Sequence, residues 1–140
     1  MKYVLSIDQG TSGSKAIIFS QDGLIVAKHT TPYECNFFNE GFVEQNPQDI
    51  ISSVLDAVKN AVNKFLSAGN DINDIVCAGI DNQRESFLLW DKEGNPLTQV
   101  IVWQCKRSIS ICQKMKEEGF ENVIRDKSGL MLDPYFSEQK

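Results

Sequence analysis

Apolar residues at the start of the chain fall into short runs that are separated by polar turns. The runs occupy residues 3–7, 16–19 and 24–27. Short apolar runs bounded by Gly, Ser and Asp are typical of β-strands joined by hairpins. The pattern therefore predicts a meander of three strands. Residues 36–45 are aromatic and polar without a clear period, and we expect a loop there.

A long amphipathic helix is predicted to follow this loop. Asn46 is a favourable N-cap, and Pro47 suits the first helical position because that position needs no backbone N–H. Apolar residues then recur at steps of three and four over residues 50–66, which places them on one face. Gly69 supplies a stop signal. The single apolar face predicts that this helix packs against a sheet.

The remainder of the chain predicts further strands and two shorter helices. The continuous apolar run at residues 75–80 is typical of a strand that is covered on both faces. We expect two more strands at 86–90 and 100–103, a helix over 108–119, and a short helix around Val123. This order of elements predicts a mixed α/β fold in which helices flank the sheet.

Length and charge exclude several classes of protein. The 140 residues suffice for one domain with a real core. The net charge is −5 and the basic residues are scattered, so we expect no nucleic-acid partner. The first apolar run is too short for a secretory signal or a membrane span, and we expect a cytoplasmic protein. No stop signal follows Tyr135, which favours a fragment of a longer protein.

Cysteine and histidine offer little metal chemistry. The four cysteines include no close pair with zinc-site spacing, and we expect reduced, mostly structural thiols. The single histidine, His29, argues against a histidine-based metal site or catalytic triad. It lies in an alternating segment, where we expect it on the surface of a strand.

The most informative stretch is the polar turn, defined as residues 8–15, which links the first two predicted strands. Its sequence is Asp-Gln-Gly-Thr-Ser-Gly-Ser-Lys. Small residues allow successive backbone N–H groups to converge on an anion. Lys15 adds a positive charge, and Asp8 could hold a hydrated metal ion. The hydroxyl donors are Thr11, Ser12 and Ser14. The stretch predicts a nucleotide phosphate site, and the alternative is an ordinary polar hairpin.

A second candidate is the polar cluster at residues 82–85, Asn-Gln-Arg-Glu, directly after a predicted buried strand. Loops at strand ends gather ligands in α/β sheets. Arg84 donates through a planar fork and Glu85 accepts from hydroxyls, so the pair suits a vicinal diol. The alternative is a solvated ion pair. Trp103 and Tyr135 either line a pocket beside aliphatic carbons or serve as packing residues.

Five motifs together resemble the N-terminal part of the FGGY family of carbohydrate kinases, and within it the members that act on glycerol. They are Asp-Gln-Gly-Thr-Ser-Gly-Ser-Lys at 8–15, Gly-Phe-Val-Glu-Gln-Asn-Pro at 41–47, Asn-Gln-Arg-Glu at 82–85, Ile-Val-Trp-Gln-Cys-Lys-Arg at 101–107 and Gly-Leu-Met-Leu-Asp-Pro-Tyr-Phe-Ser at 129–137. They keep the family's order and spacing. The resemblance implies a truncated ribonuclease H-like (actin/hexokinase-like) α/β domain. Residues 1–140 would form its substrate-binding part.

The resemblance also implies how the polar turn is used. ATP would bind between two domains, with its phosphates on Thr11, Ser12 and Gly13. Lys15 stands where these kinases often carry Arg, so the charge is kept and the guanidinium fork is lost. Asp8 would help to hold Mg²⁺.

The implied acceptor is glycerol or a similar polyol. Its hydroxyls would bind Arg84, Glu85 and Tyr135, and Trp103 would lie against its carbon chain. No catalytic residue is expected in this chain, because the family's Asp base belongs to a segment beyond Lys140. The resemblance thus implies a parent protein that phosphorylates glycerol with ATP as a homo-oligomer. We expect the 140 residues alone to be inactive.

Three alternatives stay open at this point. A kinase of the same family that acts on a pentulose or another polyol would keep the polar turn and differ around Arg84 and Glu85. Asp81, Ser86 and Phe87 depart from the commonest neighbours in glycerol-specific members. An actin-like ATPase shares the Asp-x-Gly-Thr turn without needing the polar cluster. A non-catalytic ligand-binding protein is the third alternative.

Overall fold

The computed structural model of the chain describes residues 1–137. Its elements are β1 (Tyr3–Gln9), β2 (Gly13–Ser20), β3 (Ile25–Pro32), β4 (Asn36–Phe38), β5 (Phe42–Gln45), α1 (Pro47–Ser67), β6 (Ile75–Asn82), β7 (Val100–Ile101), α2 (Ile109–Glu117) and α3 (Phe120–Ser128). A short 3₁₀ turn at Ile72–Asp74 leads into β6. The mixed α/β class predicted from the sequence is confirmed. The elements form two compact units.

The first unit consists of Met1–Cys35 and Asn46–Gln83 and contains a sheet in the order β3-β2-β1-β6. The antiparallel β1, β2 and β3 are the predicted meander. β6 pairs in parallel with β1, and parallel neighbours require a crossover connection, which includes α1. β1 therefore has a partner on each side, and its end leads into the polar turn.

The core of this unit lies between α1 and one face of the sheet. Leu5 is opposite Ile18 in the ladder, and both are buried against α1. Phe65 of α1 has no solvent exposure, and its ring meets that of Tyr3 edge-on with centroids 4.8 Å apart. Edge-to-face aromatic contact adds to the free energy gained from burial. The sheet face toward α1 is thereby fixed, and the polar turn is positioned by a rigid strand.

α1 begins and ends as predicted. The Asn46 side chain accepts a hydrogen bond from the backbone N–H of Gln48 at 3.0 Å, and Pro47 occupies the first helical turn. Gly69 follows the helix with a φ of +85°, the left-handed conformation that favours glycine.

The buried face of α1 is narrower than its apolar stripe. Ala57 and Ala61 have no solvent exposure, whereas Leu55 is 65% exposed and Ile51 is 53% exposed. Small side chains allow the helix axis to lie close to the sheet, so the flanking leucine and isoleucine project past the contact. The predicted packing against a sheet is confirmed, and only part of the apolar stripe takes part in it.

β6 occupies the continuous apolar run, but it is not covered on both faces. Val76 is 54% exposed and Ile80 is 69% exposed. α1 packs chiefly on β2 and β3 and less on β1, and β6 lies at the edge of the sheet beyond β1. The predicted strand is confirmed, and its predicted burial is wrong in the described part of the chain. An apolar run predicts that a strand forms, but it does not show which other elements cover the faces of that strand.

The second unit consists of Asn36–Gln45 and the chain from Arg84 onward. Residues 36–45 form a hairpin of β4 and β5, and β5 also pairs with β7, so the predicted loop is wrong. Val43 and Gln45 are buried, while Phe42 and Glu44 are partly exposed. This period of two extends over four residues, which is too short to recognise from the sequence.

Two predicted strands are shorter than expected. Residues 86–90 form only isolated bridges, and the run at 100–103 contributes only the two residues of β7. The bridges pair Phe87 with Ile101 and Trp90 with Pro96. The Asp91 carboxylate accepts backbone N–H groups from Glu93 and Asn95, at 3.0 Å and 2.7 Å, so the chain turns too tightly there for a longer ladder.

The predicted helices are present as α2 and α3. Ser108 occupies the N-cap position of α2, but its side chain makes no capping hydrogen bond. Gly119 separates the two helices in the left-handed conformation, with a φ of +81°. No helix among residues 1–137 has the length and apolar character needed to cross a membrane.

The thiols are unlinked, and the histidine lies on a strand as expected. All four cysteines fall within the described residues and none is in a disulfide. Cys105 and Cys112 are buried, whereas Cys77 is exposed on β6. His29 lies on β3 with its Nε2 atom 3.7 Å from the carboxylate of Asp56.

Candidate functional site

The polar turn is a tight connection between β1 and β2. β1 ends at Gln9 and β2 begins at Gly13, so only residues 10–12 lie outside the strands. The backbone N–H of Gly10 donates to the carbonyl oxygen of Gly13 at 3.0 Å and closes the turn. Thr11 is half-buried and Ser12 is exposed. The predicted hairpin is confirmed, and its tip presents a hydroxyl to solvent.

Ser14 does not belong with the exposed hydroxyls of the turn. It is fully buried, and its Oγ atom lies 2.7 Å from the Oγ atom of Ser53 on α1. Successive strand residues point to opposite faces, so Ser14 faces the helix and Lys15 faces away from it. The expectation that Ser14 supplies a donor to a bound phosphate is therefore wrong. Thr11 and Ser12 remain as the hydroxyl donors.

Gly13 is required by the close approach of a neighbouring strand. A Cβ atom at this position would lie 2.8 Å from the carbonyl oxygen of Thr31 and 3.0 Å from the Cα atom of Pro32. Both are backbone atoms of β3, which cannot move aside without disturbing the ladder. Glycine thus permits the turn and β3 to remain in contact.

Asp8 has a second carboxylate beside it. In the ladder Asp8 is opposite Lys15 on β2 and opposite Asp81 on β6. Residues directly opposite each other share a face of the sheet, so two carboxylates and one ammonium group occupy the face away from α1. Among residues 1–137, no three or more His, Cys, Asp or Glu side chains form a group that could hold a metal ion. The pair fits Mg²⁺, which is often held by one or two carboxylates with water and phosphate oxygens.

In the second unit, Ser137 holds the side chain of Glu85. Oε2 of Glu85 accepts the Ser137 backbone N–H at 3.0 Å and the Ser137 hydroxyl at 3.1 Å. Glu85 has a φ of +59°, a left-handed conformation that is uncommon for a residue with a Cβ atom. Such strain persists where the surrounding structure fixes it, and it clusters at functional sites.

Trp103 and Tyr135 lie against each other in the same unit. Their ring centroids are 5.6 Å apart, and the rings are tilted by 58°. The Asp133 carboxylate accepts the backbone N–H of Tyr135 at 2.8 Å, which fixes the start of the segment that carries the ring. Both rings line a cavity of about 410 Å³. The two aromatic residues therefore form a common apolar wall.

The segment after Glu85 is tied to Trp103 by a further hydrogen bond. The backbone N–H of Trp103 donates to the Oγ atom of Ser86 at 3.1 Å. Ser137 in turn engages Glu85 and follows Tyr135 by two positions. Three of the four predicted substrate residues thus belong to one connected assembly. The fourth, Arg84, directly precedes Glu85 in the chain, and its side chain is exposed.

Comparison with known proteins assigns the chain to a family. The family model for the N-terminal domain of the FGGY family of carbohydrate kinases matches residues 3–140. The chain belongs to the FGGY family of carbohydrate kinases. The resemblance carried by the five motifs is confirmed.

Several known kinases match all or nearly all of the chain. Glycerol kinase 2 of Thermotoga maritima is 43% identical over 141 residues, which is 100% of this chain and 28% of that protein. The crystal structure of Plasmodium falciparum glycerol kinase with ADP has a TM-score of 0.88 at 31% identity, covering 98% of this chain and 27% of that chain. Ligand-bound xylulose kinase from Lactobacillus acidophilus has a TM-score of 0.84 at 25% identity, covering 96% and 26%.

Two consequences follow from these matches. The expected actin/hexokinase-like fold is confirmed, with this chain as a partial N-terminal domain. The chain spans about 28% of the length of the first curated relatives that it matches.

Two of the FGGY motifs prove to be structural partners. Arg107 donates through Nη2 to the Glu44 carboxylate at 2.6 Å, and its guanidinium lies 4.7 Å from the centroid of the Phe42 ring. Its Nε atom donates to the Cys105 sulfur at 2.9 Å. Burial would raise the pKa of Cys105, but the hydrogen bonds from Arg107 and from backbone amides hold that pKa below its ordinary value. The motifs at 41–47 and 101–107 thus stabilise each other.

Several residues that support the site were not predicted from the sequence. Ser137 closes the last motif, so its place there was a usable signal, but nothing linked it to Glu85. Ser86 was noted only as a departure from the common pattern. The Tyr33 hydroxyl and Nε2 of Gln9 both donate to the carbonyl oxygen of Gly10. Gln9 lies within the polar turn, but no periodicity or spacing indicates that its side chain, or that of Tyr33, acts through a single backbone carbonyl.

Proposed function

We propose that these 140 residues are the substrate-binding part of the N-terminal domain of a longer FGGY kinase. That protein transfers the γ-phosphate of ATP to a terminal hydroxyl of glycerol in the cytoplasm, as a homo-oligomer. One observation carries the choice of a polyol acceptor. The Glu85 carboxylate is held by Ser137, two positions after Tyr135, whose ring forms one wall with Trp103.

This arrangement supports a division of roles at the acceptor. A small polyol has hydroxyls that donate and accept and a short carbon chain between them. Glu85 accepts from one or two hydroxyls, Arg84 donates to them, and the Tyr135 hydroxyl adds a third polar contact. Trp103 excludes water from the carbon chain. An actin-like ATPase has no need for such an assembly.

The polar turn supplies the proposed donor site. Backbone N–H groups of Thr11, Ser12 and Gly13 bind phosphate oxygens, and Lys15 balances part of their charge. Asp8, beside Asp81 in the ladder, holds a hydrated Mg²⁺ ion. The bound ion would neutralise charge on the phosphate oxygens during transfer.

The chain contributes positioning to this reaction and lacks the general base. The base is the Asp that the family supplies from a segment beyond Lys140, so donor and acceptor cannot be aligned by residues 1–140 alone. We expect no glycerol phosphorylation by the purified 140 residues. ATP-dependent formation of glycerol phosphate by that piece would contradict this.

The function is tested by measuring ADP release from the full-length protein with MgATP and, in parallel, glycerol, xylulose, ribulose or no acceptor. Turnover that depends on glycerol supports the proposal. Turnover with a pentulose alone keeps the family reaction and overturns glycerol as the acceptor; the likeness to xylulose kinase is the reason for including the two pentuloses. Turnover without any acceptor indicates an ATPase, and the absence of turnover indicates a binding protein.

A further inference from the structure

The carbonyl groups of the polar turn are anchored one after another by the chain that follows β3. The Tyr33 hydroxyl donates to the carbonyl oxygen of Gly10, and Nε2 of Gln9 donates to the same oxygen at 2.8 Å. The Cys35 thiol donates to the carbonyl oxygen of Thr11 at 3.8 Å. The backbone N–H of Tyr33 donates to the carbonyl oxygen of Ser12 at 3.3 Å. Three consecutive peptide groups are thus held from one side.

Anchoring a carbonyl also sets the direction of an N–H group. In a trans peptide the C=O of one residue and the N–H of the next point in opposite directions. The peptide bonds of this chain are all trans in the described residues. Holding the carbonyls of Gly10, Thr11 and Ser12 toward Tyr33 and Cys35 therefore directs the N–H groups of the following residues away from them. Successive N–H groups that point to one side form an anion-binding concavity.

Tyr33 and Gln9 are linked to each other as well as to the turn. Nε2 of Gln9 lies 2.5 Å from the Tyr33 hydroxyl oxygen, and Gln9 is buried. Burial raises the pKa of Tyr33 to about 12, from an ordinary value that is already above neutral pH, so the hydroxyl stays protonated and able to donate over a wider pH range. Oε1 of Gln9 also accepts the backbone N–H of Gln83, a residue of the polar cluster, at 3.4 Å.

We infer that Tyr33 and Gln9 are positioning residues for the nucleotide phosphates. They touch neither ATP nor polyol, and they act by fixing the Gly10 carbonyl and with it the direction of the turn's N–H groups. A preorganised turn binds phosphate without first losing conformational freedom. The inference rests on the proposed function, because it concerns the same phosphate site.

The test uses the full-length protein with Tyr33→Phe, which removes only the hydroxyl. We expect the KM for MgATP and the Kd for MgADP to rise about fivefold, the effect of one lost hydrogen bond. The KM for glycerol should stay within about twofold, because the change leaves Glu85, Trp103 and Tyr135 untouched. Gln9→Met keeps the length of the side chain and loses the three hydrogen bonds of the amide, and it should raise the same two constants.

Tyr3→Phe is the matched control. The Tyr3 hydroxyl donates to Asn70 at 2.9 Å in the same unit, near the start of β1 and away from the turn. It should leave nucleotide affinity unchanged. Suppose that the unmodified protein binds MgADP and that Tyr33→Phe binds it as well as Tyr3→Phe does. The inference is then overturned, while the proposed function stands. Equal rises in both KM values would also overturn it, since they indicate a general structural defect. If the unmodified protein binds no nucleotide, the proposed function fails and the inference fails with it.

Discussion

Ser137 and Glu85 are 52 positions apart and are joined by two hydrogen bonds to one carboxylate oxygen. The donors are the backbone N–H and the hydroxyl of the same serine. Two donors from one residue restrict both the position and the rotation of the carboxylate. The left-handed backbone of Glu85 aims its side chain at these donors, so the strain and the hydrogen bonds belong to one arrangement.

The first prediction concerns Ser137→Ala in the full-length protein. It removes the hydroxyl donor and keeps the backbone donor, so Glu85 gains rotational freedom. We expect the KM for glycerol to rise roughly three- to tenfold, as for the loss of one hydrogen bond to a charged group, with the KM for MgATP unchanged. Ser128→Ala, which removes an exposed hydrogen bond to the Ile124 carbonyl on α3, is the control. An unchanged KM for glycerol would contradict the role of Ser137.

The second prediction concerns the backbone of Glu85. Glu85→Ala and Glu85→Gly remove the same carboxylate, so both should lose most of their activity with glycerol. Only glycine adopts a φ of +59° without steric cost. We expect Glu85→Gly to be more stable than Glu85→Ala by about 1 kcal/mol, measured by thermal unfolding. If Glu85→Ala is the more stable of the two, the left-handed backbone carries no strain.

The third prediction concerns the contact between the polar turn and β3. Gly13→Ala places a methyl group 2.8 Å from the Thr31 carbonyl oxygen, so the turn must shift. We expect the affinity for MgADP to fall by roughly tenfold or more, since a small displacement of several N–H donors weakens each of them. The matched control is Gly79→Ala on β6, where an added Cβ would meet no atom within 4 Å. Similar nucleotide affinity in the two variants would sink this account of the turn.

The fourth prediction follows from the buried hydroxyl of Tyr33. Its pKa in the folded protein is about 12, above the ordinary value of 10.0, because of burial. The unfolded chain therefore loses this proton first as the pH rises, and the contribution of Tyr33 to stability decreases between pH 10 and pH 12. The urea midpoint of the unmodified protein should fall more steeply from pH 9 to pH 11 than that of Tyr33→Phe. Parallel slopes would show that the hydroxyl is not protected by burial.

The sequence predicted those strands and helices that are determined by residues close together in the chain. The meander follows from apolar runs and turn residues, and α1 follows from Asn46, Pro47 and a clear helical period. The hairpin at residues 36–45 was missed because its strands are short and its partner, β7, lies far along the chain. The exposure of β6 could not be predicted either, since it depends on which strands α1 covers.

In the candidate site too, the residues that share a local segment were predictable from the sequence, and the contacts between distant segments were not. Thr11, Ser12 and Gly13 share one turn, so their proximity was readable from the sequence. Ser14 lies in the same stretch but faces α1, and strand alternation would have indicated that once the start of β2 was known. The contacts of Tyr33 with Gly10 depend on how β3 and the chain after it return beneath the turn, which no local pattern encodes.

The outer edge of β6 has a practical consequence for work with these 140 residues as a separate piece. Among the described residues β6 pairs only with β1, and its Val76 and Ile80 side chains are exposed. An apolar strand with an unpaired backbone edge recruits strands from other molecules. We expect the isolated piece to aggregate on expression, and a lysine in place of Val76 is the first change to try for a soluble sample.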